Sequence, residues 1–570
     1  MIKFFSFVFC ILGLTLSFAQ ESPLEFTVDA AGQTVPLPKI YKLNIDLGGR
    51  GSHRDKTWPQ SLASPEALSG WQNDIGFQGI FRLQYSLWEI EALNKDKAEQ
   101  ERFLENYENI ISKISDAGGI VVLNIFGTPA GMGNVLDKTS APVKQKAFKE
   151  LVKGHIRNLS CNKKYNIWYE VWSAPDEDNF FLGSRQEYLN LYRIVAESIE
   201  ELKKESRIHI PVGGPGVSWW YQNIDGNTIL TPEKSLVYDL IKFCSRYHLP
   251  LDFISWHAYS TDPYAEAELT RYNKTAPSLI RDWLSYFNFD RNTPLIISEW
   301  NYDSGYNTLP ERHDTSHIAA SYIPSRLKNM HTGGIDYQFY FSLEDFQNNK
   351  EGIDRNTGIF WFDPEKSGYH GGSKSIYNVF RMLGLLGNNM FVAQAKTNDP
   401  YVGMVATKGS DYIAILIYNY IDPDSAENYL SRIISGFTDA GRKTVVNLAK
   451  ADKLQKAIDG LIDLKELRLR GSKFKNALKK AQELTQETKT RREKEREVKL
   501  SIKNIKDDYI YQRYVVDSSC GLNCEFTPVE EKEITAQELY QQDMFLKPYS
   551  VNLIRLKVKP KEAPKEDASG

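Results

Sequence analysis

Glu299 is the residue in this chain with the strongest claim to chemistry. It closes the run "PLIISEWN", where a buried-strand pattern of apolar residues delivers one carboxylate to a strand end, with Trp300 beside it. A structural salt bridge is the competing account of a strand-end acid, and the flanking pattern weighs against it. A carboxylate in such a place suits nucleophilic attack at a sugar carbon. That reaction needs a second carboxyl: retaining glycosidic cleavage uses two, about 5–5.5 Å apart, one as nucleophile and one as acid/base. The stretch "YEVWSAPDEDNFF" reads as the end of another strand running into an active-site loop, yet it offers Ser173 and Ala174 before Pro175. Nearby acids are Asp176 and Glu177 in the same loop, and Glu344 and Asp345 beyond "DYQFYFS". Glu177 is a candidate substitute acid. Glu170 is a weaker one, because four residues before Ala174 it should lie deeper along the strand.

The other strand ends supply a consistent lining. They hold Asp46 with the loop "GGRG"; Arg82, Gln84 and Tyr85; Asn124; Trp219 and Trp220; His257 and Tyr259; Asn301; and Tyr340 with Ser342. Pyranose rings want aromatic faces for their C–H surfaces, and carboxylates, amides and guanidinium for their hydroxyls. The set has no convincing metal cluster and no Gly-rich phosphate fingerprint, so neither metal nor cofactor is expected.

These residues require a frame. From about residue 40 to 385, eight short apolar runs alternate with longer stretches of helical spacing, such as "EQERFLENYENIISKISDAG". Eight strand–helix units predict an α/β fold, a (β/α)8 TIM barrel, whose functional residues sit at the C-terminal ends of the strands. An open doubly wound sheet is the alternative, and the count of eight argues against it. After "SKSIYNVFRMLG" the pattern turns to short alternating strands, which predicts a C-terminal β-sandwich over 386–558, with strands from residues 20–39 joining it. Residues 442–494 are charged, rich in helix formers and broken at Gly471-Ser472. They predict a helical hairpin inserted in the sandwich, either as a solvated, salt-bridged arm or as a contact for a protein partner or a second copy. The tail 559–570 has a disordered composition.

Composition fits a folded chain: 41% hydrophobic, 25% charged, 12% aromatic, with a formal net charge of −3 over 570 residues. The aromatic content suits sugar stacking, and core packing explains it as well. No basic face calls for nucleic acid. "MIKFFSFVFCILGLTLSFAQ" reads as a secretory leader cleaved after Ala19, giving an exported protein, periplasmic or extracellular, with no membrane span once the leader is gone. Cys520 and Cys524 are spaced for a small-loop disulfide or, less simply, two ligands of a metal; Cys161 and Cys244 read as isolated thiols.

Taken in order, "VPLPKIYK", "IGFQGIFRLQYS", "IWYEVWSAPDEDNFF", "PVGGPG", "LDFISWHAYS", "PLIISEWN" and "YFSLEDF" resemble glycoside hydrolase family 39, the clan A group of β-xylosidases and α-L-iduronidases. The resemblance runs on through "YQRYVVDSS" and "LKPYSVNLIRLK" and covers most of the chain after the leader, excepting the helical insertion. It implies a glycosidase with a carbohydrate substrate. Residue by residue it makes Glu299 the nucleophile, His257 and Tyr259 its neighbours on the sixth strand, and Ala174 the position of the missing acid/base. Ser173 stands where the family carries the Asn that binds the sugar 2-hydroxyl, and Gln84 where many relatives carry His. Arg82, Trp300 and Glu344 complete the expected substrate contacts. A non-catalytic carbohydrate-binding protein is the alternative that Ala174 raises.

Overall fold

The computed structural model describes residues 22–42, 44–48, 64–220, 235–266, 275–302, 317–348, 353–355, 357–362, 370–393, 399–434, 437–467, 469 and 471–560. The expected leader, residues 49–51 of the "GGRG" loop and residues 561–570 of the expected tail lie outside them.

Eight parallel strands close a barrel in chain order: Asn44–Asp46, Ile80–Ser86, Ile120–Phe126, Ile167–Val171, Val212–Val217, Phe253–His257, Leu295–Trp300 and Tyr337–Tyr340. Their continuous apolar runs follow from burial on both faces, inside against other strands and outside against helices. Several of the helices are capped by side chains. Lys97–Asp116 starts on Asp96, whose side chain accepts from the Glu99 N–H, and buries Phe103, Tyr107, Ile110 and Ile114. Arg185–Ser206 starts with a reciprocal Ser184–Glu187 capping box.

The C-terminal part is two sheets. Seven strands run through Val402–Lys408, Tyr412–Asn419, Ser550–Val558 and Tyr509–Val516 at their centre, and three join Leu24–Asp29, Arg496–Ile505 and Gln537–Leu546. The N-terminal segment enters both: Leu24–Asp29 pairs parallel with Arg496–Ile505, and Thr34–Pro36 pairs with Asn389–Phe391. Period-two alternation splits the large sheet's residues between two cores. Met404, Ile415, Ile417, Ile554 and Leu556 face the small sheet, while Val405, Leu416, Val551 and Leu553 join the core that is continuous with the barrel.

The expected hairpin over 442–494 is instead a four-helix insert: Ser425–Ile434, Asp439–Lys450, Leu454–Ile458 and Ser472–Arg492. Two helices alone would leave the apolar stripe of the last one exposed. Leu430, Phe437, Val445, Ile458, Phe474 and Leu478 close around one another as a separate small core. Gly471, at φ 90°, marks the start of the last helix, at the break read from the sequence. Cys520 and Cys524 are joined by a disulfide, so the metal alternative for that pair falls away.

The insert is tied to the barrel through the loop after the sixth strand. Arg432 pairs with Asp262, the Asn428 amide donates to Thr261 Oγ1 at 2.9 Å, and Tyr420 OH donates to the Thr261 carbonyl at 2.8 Å. Asp422 lies buried in the same junction and accepts from Asn428 at 2.9 Å. Burial, with Asp262 and Asp424 close by, pushes its carboxyl up to about 8, against the bond from Asn428. The folded chain therefore holds a proton that the unfolded chain releases above about pH 4. The stability tied to this proton is complete below that pH and disappears as pH rises through about 8. Asp422→Asn should retain that stability, so its melting temperature should gain on the parent's as pH climbs from 5 to 8. Parallel melting curves across that range would show that Asp422 does not titrate as described.

Candidate active site

Strand register builds the site. In a parallel barrel, paired residues on neighbouring strands point to the same face. Asp46 pairs with Arg82, Gln84 with Asn124, Asn124 with Glu170, and His257 with Glu299. Alternation along "IFRLQYS" sends Arg82 and Gln84 inward together.

Arg82 is the hub. Its Nε donates to Glu170 Oε2 at 2.6 Å, and one terminal nitrogen donates to Asp46 Oδ2 at 2.9 Å and to Glu299 Oε1 at 3.0 Å. Its other terminal nitrogen lies 3.4 Å from Ser173 Oγ. All of these side chains are buried. A guanidinium suits the place because it is planar, always charged and rich in donors.

Glu299 is gripped from several strands. Oε1 accepts from Arg82 and, at 3.2 Å, from the Ser173 hydroxyl; Oε2 accepts from Tyr259 OH at 2.7 Å. His257 Nε2 approaches Oε1 to 2.7 Å, but its ring is not aligned for a hydrogen bond. Ser173, His257, Tyr259, Arg82 and Glu299 thus meet in one cluster. Gln84 is buried at the same end, and among the described residues its Oε1 and Asn124 Oδ1 accept no hydrogen bond.

The fourth strand ends in a constrained turn. Trp172 and Ala174 hold φ of 71° and 47°, a left-handed backbone unfavourable for side chains other than glycine. The Ala174 N–H donates to the Gly216 carbonyl at 2.7 Å, Trp172 Nε1 donates to the Phe180 carbonyl at 2.8 Å, and Asn124 donates to the Trp172 carbonyl. Gly216 is required on the facing strand: a Cβ there would lie 3.0 Å from the Trp172 oxygen and 3.1 Å from Glu170 Oε1. Ala174 itself is buried at 4% exposure and brings a methyl group to the turn.

The neighbouring acids are arranged differently from one another. Asp176 turns to the fifth strand, where it accepts from the Ser218 N–H at 2.8 Å and from its hydroxyl. Glu177 is exposed on the turn. Asp345 accepts from Lys374 at 2.8 Å and from the Gly358 N–H at 2.7 Å. Glu344 accepts from the Ser64 N–H at 2.7 Å, at the head of helix Pro65–Asp74. Burial pushes the Glu344 carboxyl up to about 7; Asp345 and Glu66 add to this, and Ser64 opposes it.

Trp300 corrects the reading from sequence. The residue after Glu299 on a strand must face the other way. Its indole donates to Gln338 Oε1 at 2.5 Å, its ring packs on Tyr322 and Tyr340, and it is fully buried between strand and helix. It offers no face to a sugar. Conversely, Asp46 and Glu170 emerge as core members of the cluster. The inward alternation of their strands carried that signal, but their shared contact with Arg82 depends on register between strands.

Among the described residues, no group of three His, Cys, Asp or Glu side chains is placed to hold a metal ion, and no helix is long and apolar enough to cross a membrane.

Comparison with known proteins gives a consistent result. The family model described as "Glycosyl hydrolases family 39" matches residues 124–424. A beta-xylosidase of Geobacillus stearothermophilus is 25% identical over 265 residues, 44% of this chain and 47% of that protein, so the match spans just under half of that relative. A beta-xylosidase of Caldicellulosiruptor saccharolyticus is 21% identical over 425 residues, 68% of this chain and 81% of the other. Among solved structures, the monomeric beta-xylosidase of Caulobacter crescentus CB15 superposes with a TM-score of 0.61 at 15% identity, covering 94% of this chain and 100% of that one. The GH39 enzyme from Xanthomonas axonopodis pv. citri gives 0.60 at 14% identity, covering 96% and 99%. At such identities these structures share the barrel-and-sandwich fold.

Arg82→Leu should be costly. It would leave Asp46, Glu170 and Glu299 together without the cation that they share, and breaking a buried ion pair costs about 3–5 kcal/mol. Urea unfolding should show a loss of that order, with Arg82→Lys falling between it and the parent. A loss under about 1 kcal/mol for Arg82→Leu would remove Arg82 from its central place.

Proposed function

Because the chain belongs to the glycosyl hydrolases of family 39, we propose that it is a retaining-type glycoside hydrolase in which Glu299 is the nucleophile and Ala174 occupies the place of the acid/base. The observation that carries this reading is the Glu299 carboxylate itself. It is held by Arg82, Ser173 and Tyr259, with His257 against it, at the mouth of the barrel. A nucleophile must be fixed in position before attack, and four side chains from three different strands or strand ends surround this one. Gln84 and Asn124 provide buried acceptors, and sugar hydroxyls are donors that match them. We take β-xylosides as the first substrates to test, since the similar curated proteins are named beta-xylosidases. The N-terminal leader makes the enzyme an exported one in this reading, with its substrate outside the cytoplasm.

Ala174 shapes the mechanism. Attack by Glu299 on a sugar whose leaving group needs no proton can proceed, and the covalent intermediate must then wait for water without a general base beside it. General acid/base help is typically worth 10²–10⁴-fold. Glu177, on the same turn, is the substitute donor within the loop. Glu344, with its carboxyl at about 7, is the acid at the eighth strand whose protonation suits the role. A second reading follows from the same methyl group: without a donor the mouth binds a carbohydrate and does not cleave it.

A dinitrophenyl β-xyloside separates these cases. The missing-acid reading expects turnover that azide accelerates, with Glu299→Gln inactive. It expects Ala174→Glu to raise turnover of an unactivated xyloside by about 10²–10⁴-fold. Good wild-type cleavage of the unactivated substrate, lost in Glu177→Gln or in Glu344→Gln, would instead assign the proton to that residue. Retained binding with no turnover, azide or not, would leave the carbohydrate-binding reading. Full activity in Glu299→Gln would end the nucleophile assignment.

A further inference from the structure

The insert differs from the rest of the chain in charge. Residues 425–492 carry 16 Lys and Arg against 8 Asp and Glu, a net of +8, while the whole chain is at −3. The remainder is therefore at −11. Some of these cations are spent inside the fold: Arg432 on Asp262, and Arg491 on Asp399. Others form a surface feature.

An open groove of about 560 Å³ runs between the segment Ile458–Lys465 and the helix Ser472–Arg492. Along the helix it is lined by Lys475, Lys479, Gln482, Gln486 and Lys489, and Lys465 stands on the other wall. The helix positions follow one another by four, three, four and three residues, which makes them one stripe. From Lys475 to Lys489 the stripe extends roughly 21 Å at 1.5 Å per residue. It is distinct from the apolar face, where Phe474, Ala477, Leu478 and Ala481 are buried. Lys465, Lys475 and Lys489 make no ion pair among the described residues, whereas Lys149 and Lys153, on a barrel helix, are each bound to two glutamates. Two carboxylates share the groove. Asp463 caps the Lys465 N–H at 2.9 Å, and Asp459 lies 3.4 Å from the Gln455 amide. The lysines outnumber them four to two.

We propose that this groove binds an acidic polysaccharide, a chain of sugars bearing carboxylate or sulfate groups. Lysines match the anions, and the amides of the same stripe match hydroxyls. A stripe of that length fits an extended chain better than a single sugar. The lining holds no aromatic side chain, so the match rests on charge and on amide–hydroxyl pairing, without ring stacking. The insert is also bound to the loop after the sixth barrel strand, through Thr261 and Asp262. That loop follows Tyr259, which touches Glu299. A chain held on the insert is thus held on the body that flanks the catalytic mouth. The choice of a carbohydrate as occupant rests on the glycoside hydrolase reading; the cationic groove does not.

Polygalacturonate and dextran sulfate are the probes, with neutral dextran as the control, in affinity electrophoresis of the full chain. Both acidic polymers should retard the protein, dextran should not, and the effect should weaken steeply between 50 and 200 mM salt, as ion-dominated binding to a polyanion does. The combined variant Lys475→Glu, Lys479→Glu, Lys489→Glu should lose at least about tenfold in affinity, a change of 1.4 kcal/mol. The milder combination Lys475→Gln, Lys479→Gln, Lys489→Gln should lose part of it with the circular dichroism spectrum unchanged. Turnover of a small aryl xyloside should be the same in parent and variants, so a failure of the catalytic reading is seen separately from a failure here. Unchanged retardation in both variants would overturn the proposal. So would equal binding to duplex DNA or to phosphatidylglycerol vesicles, which would make the groove an unselective polyanion surface.

Discussion

Among the described residues one guanidinium is shared by three carboxylates inside this barrel, and the site depends on that contact. Arg82 is shared by Asp46, Glu170 and Glu299, from three other strands. Burial of such charges is expensive, and mutual attraction compensates only when geometry is good and the remaining polar atoms are bonded. The cluster therefore fixes geometry more than it adds stability. Each carboxylate can occupy only the place where it reaches its share of the donors. For Glu299 that place also brings it to Ser173, Tyr259 and His257. The cost of ordering the Glu299 carboxylate has in this way been met in folding.

The same constraint explains the backbone at the end of the fourth strand. Ser173 must reach Glu299, and the residues on either side of it accept a left-handed conformation. A single such residue costs about 1–2 kcal/mol, and it persists where surrounding contacts over-determine it. Here those contacts come from neighbouring strands and the following loop: Gly216 for Ala174, Phe180 and Asn124 for Trp172. None of them involves the side chain at position 174. The turn is thus independent of whether that side chain is a carboxyl or a methyl. A change of side chain at Ala174 leaves the scaffold of the mouth intact, and Glu299 keeps its partners beside an apolar residue.

Much of this was legible in the residues. Eight apolar runs with helical stretches between them gave the barrel, because strands buried on both faces cannot hide their composition, and Glu299 stood out as a carboxylate that such a run delivers to its end. Alternation with period two also marks the inward faces of these strands. It separates Arg82 and Gln84, which face inward, from Trp300, which cannot share a face with Glu299. What one sequence does not contain is the register between strands. The meeting of Asp46 with Glu170 through Arg82 is a contact between residues more than a hundred positions apart, and their local patterns are those of ordinary strand residues. The four helices of the insert are hidden in the sequence for a related reason. Ser425–Ile434 is a short amphipathic stretch next to a sandwich strand, and its apolar side has meaning only once Ser472–Arg492 lies against it.

The insert belongs to the same physical argument as the site. The loop after the sixth barrel strand is held at two points. On the inside, Tyr259 is bonded to Glu299. A few residues further along, Thr261 accepts from Asn428 while Asp262 pairs with Arg432, both on the first helix of the insert. Arg326, on a barrel helix, closes the arrangement by bonding the Asp262 carbonyl at 2.6 Å and the Glu266 carboxylate. Two arginines thus answer the acids of this loop, and one of them comes from outside the barrel. Without Arg432, the buried Asp262 would lose a cation in a place where Asp422 and Glu266, both buried, already have their carboxyls pushed upward chiefly by burial. An unpaired buried charge is relieved by movement of the backbone or by uptake of a proton. Either response would begin two or three residues from Tyr259, which is bonded to Glu299. A helical body inserted between two sandwich strands is in this way part of the barrel's electrostatic balance, and the sixth loop is the element through which the two are joined.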